Sequence, residues 1–560
     1  MTDDYKLQAH LLLHGDLGRF LRGPNPPSDA NTLRYPPGYP ILIAAVYKLF
    51  GDSDATLRSF HILCGAAAGV LVFFIAAELL PQSVATIAGV LVALSPQLSF
   101  FSLFLLADPL APLAILLAIY CLIRACKRPR IATIILSGIF VGLSCWLRAN
   151  ALLLGPFLAI LTFCLLDRKV RLRYSLALVG ATALTIAPLT LRNYIVFHRF
   201  IPISLSAGTT LLLGIGDYDK EKRFGMPMTD LEVIRQEAEM YQRPDFYGGL
   251  YAPDGIEREH ERMARGLAII RTHPLWFART MIGRAGSMLR LSRDAIVSAE
   301  PAVSHSLEIT SDMQPAWAKT PAELRATTNV LAKQSEISPA ADEQTLRITA
   351  DDSRWGDQVS WGPIAVQRNA DYILRVPVRI EQGNAVIRVA SVDQRLTLAS
   401  TPILNVIENQ PTTEVRVPFV TRGTTQINLV LSNGGAKSTR ATLQLGRMEI
   451  FNPGPASHLW TRYPRMLIRA LQKFFVTAWV LPLTFLGALL LVWAGQGRTA
   501  AILSVVTVYY MCTQSALLSD YRYVQAIHYF HFLFAAVGLY WIGHMLREGL
   551  RRLVMPSPSR

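Results

Sequence analysis

The sequence predicts a polytopic α-helical membrane protein with an inserted extracytoplasmic β-sandwich domain, and three observations predict it. Of the 560 residues, 51% are hydrophobic, and the mean hydropathy of +0.30 is higher than a soluble protein of mixed class shows. Apolar runs long enough to cross a bilayer recur near 57–80, 84–106, 108–126, 131–148, 150–166, 173–191, 475–494, 498–518 and 523–545. Between the sixth and seventh run, residues 345–452 change to period-two alternation, "ADYILRVPVRIEQGNAVIRVASVD" and "TTEVRVPFVTRGTTQINLVLSNGG", with Gly, Asn and Asp as turn signals.

Charge placement orients the chain. The net charge of +15 is carried in short loops between apolar runs, which excludes nucleic acid as the reason for it. The loops contain Arg124, Lys127, Arg128 and Arg130, then Arg168, Lys169, Arg171 and Arg173, and the tail contains Arg547, Arg551 and Arg552. All three map to one face, which the positive-inside rule makes cytoplasmic. The organisation expected is an acidic first outer loop at 1–55, a transmembrane core at 56–191 and an outer helical or interfacial segment at 192–299. A linker follows at 300–344, then the sandwich at 345–452, C-terminal transmembrane helices at 460–546 and a cytoplasmic tail at 547–560. Translocation of a charged first loop calls for a span ahead of it, so a further apolar segment upstream of "MTDDYKLQAH" is expected.

Within the outer segment, "DLEVIRQEAEMYQ", "GIEREHERMARGLAIIR" and "HPLWFARTMIGRAGSMLRLSR" read as helices. In the last, Phe277, Ala278, Met281, Ile282, Ala285, Met288 and Leu289 fall on one arc and Arg279, Arg284, Ser287 and Arg290 on the other, the pattern of a helix in the membrane interface. The six cysteines all lie in apolar segments without a C-x-x-C pair, which gives neither a disulfide framework nor a zinc site. His61, His528 and His531 lack metal-ligand spacing and read as packed residues, and "LLGIGDYD" lacks the third glycine of a dinucleotide fingerprint.

The chemistry-bearing residues gather at the outer ends of the spans. Asp108, in "LFLLADPLAPLAILL", is a carboxylate beside hydrocarbon, where charge is expensive. It fits two roles, a cap for a helix beginning at Pro109 and a catalytic or ligand-binding group. Arg148 and Asn150 in "WLRANALLL", Arg192 and Asn193 in "PLTLRNYIVF", and Arg522 and Tyr523 in "SDYRYVQAIHYF" lie at the same level. Their guanidiniums suit bidentate binding of a phosphate, or simple snorkelling to headgroups. The first loop adds Asp3, Asp4, Asp16 and Asp29, and then "LRYPPGYP" with Arg34 and Tyr35. In the β-rich segment, Trp355, Trp361 and Tyr372 suit either a sugar-binding face or the sandwich core.

In this order, "DDY", "RYPPGYP", "SPQLSFFSLFLLADPLAPL", "GLSCWLRANALLL", "APLTLRNYIVFHRFIPIS" and "YRYVQAIHYF" resemble the bacterial membrane glycosyltransferases of the GT-C superfamily, the group with protein O-mannosyltransferases and lipid A aminoarabinose transferases. The resemblance implies a GT-C-like bundle in the bacterial inner membrane, with its active face and β domain extracytoplasmic and the β domain similar to a carbohydrate-binding sandwich. It implies transfer of a sugar, inverting and hexosyl or pentosyl, from a polyprenyl-phosphate donor to a lipid, glycan or protein acceptor. By the resemblance an acid of the first loop, Asp3 or Asp4, is the base, and Asp108 matches a second family acid. Arg34, Arg192 and Arg522 match positions that hold the donor phosphate. The chain departs from the pattern in that the loop acid usually stands four residues before a tyrosine, and here that position, before Tyr5, is Met1. No cofactor is required by the sequence, and a divalent cation is compatible with the superfamily. A glycan ligase or polymerase, and a transporter or flippase of polyprenyl-linked sugar, are the competing readings. The scarcity of mid-span acids and paired broken helices speaks against transport.

Overall fold

The computed structural model describes residues 2–23, 29–291, 296–298, 300–340, 344–353, 356–392, 396–403, 412–434, 440–518 and 520–554. They form two compact units, one of Met1–Ile296 with Leu471–Arg560 and one of Val297–Ala470.

In the first unit the stretch expected as a loop is a helical layer: α1 (Thr2–Leu13), α2 (Leu17–Arg22) and α3 (Gly38–Phe50). Tyr5 and Ala9 of α1 are buried with Tyr39, Ile43 and Val46 of α3, which is how a polar-looking sequence still forms a core. Gly38 starts α3 where a Cβ would collide with the Trp146 carbonyl, so glycine lets this layer close onto the bundle. The bundle then runs through α4 (Asp54–Leu79), α5 (Gln82–Leu94), α6 (Pro96–Phe101), α7 (Ala111–Lys127), α8 (Ile131–Leu147), α9 (Leu154–Leu165) and α10 (Arg171–Phe197). Ser53 caps α4 by accepting from the Thr56 N–H at 3.1 Å. The run expected as one span at 84–106 is divided, because Pro96 has no N–H to continue α5 and Ser95 caps α6 instead.

Among the described residues, three helices are long and apolar enough to cross a membrane: Asp54–Leu79, Arg171–Phe197 and Tyr521–Glu548. The other six expected runs form helices of 12–17 residues, roughly 18–25 Å long. At one end of the bundle Glu78, closing α4, pairs with Arg124 at 2.8 Å and Lys127 at 2.9 Å, closing α7. These two helices therefore run in the same sense, and the basic loop lies with their ends. The opposite end carries the starts of α4 and α7 and the ends of α8 and α10.

Four more helices, α11 (Ala207–Tyr218), α12 (Asp230–Met240), α13 (Gly255–Thr272) and α14 (Pro274–Met288), follow α10. The structure buries only part of the apolar arc predicted for α14. Its buried residues are Phe277, Thr280, Arg284 and Met288, while Ile282, on the predicted apolar arc, is 74% exposed. Arg284 turns inward because the Ser515 carbonyl, at 2.9 Å, and the Gly214 carbonyl both accept from it.

The second unit is an antiparallel sandwich whose elements are β1 (Trp317–Lys319), α15 (Pro321–Ala326), β2 (Asn329–Val330), β3 (Glu336–Pro339), β4 (Leu346–Thr349), β5 (Asp357–Ala365), β6 (Ala370–Gln382), β7 (Ala385–Ser391), β8 (Thr397–Ile403), β9 (Thr413–Val420), β10 (Gln426–Asn433), β11 (Thr442–Leu445) and β12 (Met448–Pro455). One sheet has the order β1-β12-β6-β11-β4-β3 with β9 also on β6, and the other is β2-β5-β10-β7-β8. The sandwich thus begins inside the expected linker 300–344, which supplies β1, α15, β2 and β3. These strands are too short to show alternation in the sequence. Trp361 and Tyr372 are 1% and 2% exposed. The Trp361 indole donates to Thr328 at 2.8 Å and Tyr372 stacks on Phe419 at 5.4 Å, so both fill the core and neither offers a face to a sugar. Trp355 lies outside the described residues.

The chain ends with α16 (Arg462–Gln472), α17 (Thr477–Trp493), α18 (Gly497–Thr513) and α19 (Gln525–Val554). Helices α17 and α19 approach so closely that a Cβ on Gly487 would collide with the Phe534 carbonyl, and one on Gly538 would stand 2.8 Å from the Leu483 carbonyl.

Candidate active site

Asp108 lies in the turn between α6 and α7 and is 5% exposed. It does not cap α7: that helix begins at Ala111, and its N-cap position, Leu110, makes no side-chain bond. The carboxylate faces the next turn of the bundle instead. There α8 ends and Arg148, extended at φ −147°, still donates its N–H to Ser144. Its guanidinium Nη2 is 2.6 Å from Asp108 Oδ1. With 16% and 3% of the two side chains exposed, this pair is shielded from the screening that makes surface ion pairs weak. The Arg148 guanidinium also lies 4.6 Å from the centroid of the Tyr523 ring.

Tyr523 sits in the 3-10 turn Tyr521–Val524 that begins α19, and two interactions fix it. Its carbonyl accepts from Asn150 Nδ2 at 2.9 Å, and its N–H donates to the Asp520 carbonyl at 3.0 Å. Arg522 stands on the same turn, with Nε donating to Asp520 Oδ2 at 2.9 Å and its guanidinium 5.1 Å from the Tyr523 centroid. One phenol therefore lies within cation–π range of two guanidiniums.

The helical layer at the front of the chain adjoins this cluster. Tyr5 is 5.2 Å from Tyr35 and 5.0 Å, edge-on, from Tyr39, and the Tyr39 hydroxyl meets His61 Nε2 at 3.0 Å. Tyr5 shares a buried cluster with Ala107 and Leu110, on either side of Asp108, which brings α1 to Asp108. Asp4 is exposed, one position before buried Tyr5. The side chain of Asp3 lies outside the described residues. Arg34 lies 5.1 Å from the Tyr35 ring and pairs with Asp230 at the start of α12 at 3.1 Å.

The fold thus gathers Asp4, Arg34, Tyr35, Asp108, Arg148, Asn150, Arg522 and Tyr523 at one end of the bundle. Arg192 and Asn193 serve elsewhere. Arg192 donates to the Leu21 carbonyl and, at 3.1 Å, to Thr32. Asn193 donates to the Ile201 and Ile203 carbonyls at 2.9 and 3.0 Å. Asn193 closes the turn after α10, and Arg192 ties α10 to the helical layer at the front of the chain. His61, His528 and His531 are 1%, 0% and 3% exposed, and among the described residues no three His, Cys, Asp or Glu side chains converge on a metal position.

Sequence reasoning passed over Asp520 and Asp230, which stand beside Arg522 and Arg34, and took Tyr5 only as a landmark for the loop acid. It also gave no sign of the charge network under α11. Arg262, 0% exposed, donates to Glu237 Oε1 at 2.6 Å and Oε2 at 2.7 Å and to Glu259 at 3.1 Å. Glu259 in turn accepts from the Gly208 and Thr209 N–H groups at 2.7 and 3.1 Å, which caps α11. Arg258, Glu259 and Arg262 at three- and four-residue spacing look like a solvated helix face, and nothing in "GIEREHERMARG" announces that it is buried.

Residues 34–191 match the family model described as dolichyl-phosphate-mannose-protein mannosyltransferase. No curated protein matches the sequence. Among solved structures, the oligosaccharyltransferase AglB of Archaeoglobus fulgidus, in complex with an inhibitory peptide and a dolichol-phosphate, is 12% identical over 99% of this chain and 48% of its own, with TM-score 0.40. ArnT of Cupriavidus metallidurans bound to undecaprenyl phosphate is 16% identical over 52% of this chain and 61% of its own, with TM-score 0.28. The C-terminal CBM6 of LamC from Zobellia galactanivorans is 14% identical over 24% of this chain and 98% of its own, with TM-score 0.19. The chain thus spans about half the length of AglB and three-fifths of that of ArnT. The family match takes in Arg34, Tyr35, Asp108, Arg148 and Asn150.

Proposed function

We propose that the protein moves a sugar from a polyprenyl-phosphate donor to a cell-envelope acceptor at the extracytoplasmic face of the membrane. The observation that carries this is the buried Asp108–Arg148 pair, with the Tyr523 ring against the guanidiniums of both Arg148 and Arg522, inside and beside the segment matching a dolichyl-phosphate-dependent family. A phosphate leaving group develops negative charge as the glycosidic bond breaks, and fixed guanidiniums in a partly dry site stabilise that charge without reorganising. Arg522, with 31% of its side chain exposed, is the cation open to the donor. Arg148 is held behind it by Asp108, so Asp108 acts as a positioning residue.

The base is then assigned to the first segment. Asp4 is exposed on the helix whose Tyr5 touches the cluster, and it takes the acceptor proton as the acceptor oxygen attacks the anomeric carbon from the side opposite the phosphate, with inversion. Asp3 is the neighbouring alternative. Purified protein in nanodiscs, given a synthetic polyprenyl-phosphate sugar and an envelope fraction, should transfer the sugar and release polyprenyl phosphate. Absence of both sugar transfer and donor hydrolysis would overturn the reading.

A further inference from the structure

Helix α16 is where the chain passes from the sandwich unit into the membrane unit, and after the short link 473–476 it enters α17. Its sequence, "RYPRMLIRALQ", is two-sided. On the helical wheel Tyr463, Met466, Leu467 and Ala470 share one arc, and Arg462, Arg465 and Arg469 share the next. Trp460 just ahead and Phe474 just behind extend the apolar side. Trp460, Tyr463, Leu467 and Phe474 are 62–74% exposed, and Met466 and Ala470 are exposed beside them. The helix is held from other sides: Thr461 accepts from the Ala302 N–H at 3.2 Å, and the buried Gln472 accepts from the Ile296 N–H at 3.2 Å. The apolar arc is therefore fixed in place and covered by nothing among the described residues. A contiguous exposed apolar surface of this kind marks an interaction site.

Its charge is one-signed. Between Glu449 and Asp520 the sequence has no acid, and among the described residues Arg462, Arg465, Arg469 and Lys473 form no ion pair. Glu300, within electrostatic reach of Arg462 and Arg469, is already paired with Arg422 at 2.7 Å, so one acid is shared among several cations. Three arginines in eleven residues keep α16 out of hydrocarbon. The apolar arc is equally ill-placed in water. Both conditions are met at the boundary between acyl chains and headgroups, where Trp and Tyr rings also concentrate. That boundary is within reach, because the segment that continues α16 is the apolar helix α17, whose Trp479 and Phe485 are 64% and 58% exposed. The bilayer that takes up α17 also holds the phosphates that would match the cations.

We propose that α16 is a lipid-docking helix that lies in the membrane interface, its Tyr463–Leu467–Phe474 face against acyl chains and its basic arc on the phosphates of anionic phospholipids. The assignment stands whatever reaction the membrane unit catalyses. The test uses the full chain in nanodiscs of phosphatidylcholine and phosphatidylglycerol in equal parts, with Leu467→p-benzoylphenylalanine or Phe474→p-benzoylphenylalanine as the photo-crosslinker and mass spectrometry of the adducts. Both positions should label lipid. Among the lipid adducts phosphatidylglycerol should exceed its bulk share about fivefold, the equivalent of one cation at an anionic surface. Arg465→Gln with Arg469→Gln should return that share toward bulk while lipid labelling persists, and Arg465→Lys with Arg469→Lys should keep the enrichment. Adducts to a second copy of the chain, adducts only within the chain, or no adduct at either position would overturn the docking. Lipid adducts without phosphatidylglycerol enrichment, or an enrichment that survives the glutamine pair, would overturn the role of the basic arc.

Discussion

At the residue scale, the Asp108–Arg148 pair separates two roles that a carboxylate can play. A base must reach the acceptor and change its protonation, whereas Asp108 is committed to Arg148 at 2.6 Å and almost fully buried. Asp108→Asn keeps the shape but releases Arg148, so turnover should fall about a hundredfold through misplacement of the cation, with some activity regained in Asp108→Glu. Asp4→Asn should cost about a hundredfold or more in kcat with protein level unchanged. The measurement is donor turnover against acceptor transfer for each purified variant. Retention of full activity by Asp108→Asn would remove it from the site, and retention by Asp4→Asn would leave Asp3 to be examined next. Arg522→Gln should act on the donor, raising its KM roughly tenfold or more for one lost charge-assisted contact. These residues were legible in the sequence because a charge at the end of an apolar run is conspicuous. Their partners were not. Whether Asp108 capped a helix or paired with Arg148 depended on where α7 began, and Leu110 and Ala111 carry no signal that sets that boundary. Arg192 and Arg522 look alike in sequence, yet one is spent on the Leu21 carbonyl and the Thr32 hydroxyl and the other stands beside Tyr523.

At the scale of elements, a buried charge network joins α11, α12 and α13. Glu237 of α12 faces both Arg258 and Arg262 of α13, and Glu259 caps α11. Removing one partner of such a group leaves buried charge uncompensated, which costs about 3–5 kcal/mol. Glu237→Gln should therefore loosen α12–α13 and lower the thermal midpoint in detergent. The double change Glu237→Leu, Arg258→Met should recover much of the loss, because Arg262 then keeps Glu259 and no charge is left unmet. If the double variant is as unstable as the single one, packing and not charge governs this contact. The α17–α19 contact is governed by backbone approach. Gly487→Leu should separate those helices, since its side chain has only the Phe534 carbonyl to enter, and folded yield in the membrane should drop sharply. The apolar runs of the bundle could be read from the sequence because hydrocarbon imposes a coarse and continuous pattern. The division of the 84–106 run into α5 and α6, and the inward turn of Arg284 on α14, follow from single backbone groups that pattern does not record.

At the scale of the molecule, the chain is two units of different physics. The sandwich has its own core, in which Leu374, Val376, Ile387, Val389, Leu429 and Val417 are fully buried, so residues 300–456 expressed alone should fold and unfold cooperatively. Two acids report on that fold. Burial pushes the Asp371 carboxyl up, but hydrogen bonds from the Ser304 hydroxyl and the His305 ring, with the N–H groups of both residues, outweigh it and hold the group below the usual carboxylate range. Asp351 is held low in the same way by Ser353, Gln358 and Asn433 against its own burial. A carboxyl whose folded pKa is depressed adds stability that is complete above its unfolded value, about 3.9, and is lost as pH falls through the folded value. The isolated sandwich should therefore hold a level melting temperature from neutral pH down to about 5 and lose it progressively below about 4. Asp371→Asn should melt lower at neutral pH and show a shallower acid limb, because one of the groups that must be protonated is gone. An acid limb of unchanged steepness in that variant would show that Asp371, despite its burial beneath Ser304 and His305, does not link the fold to pH.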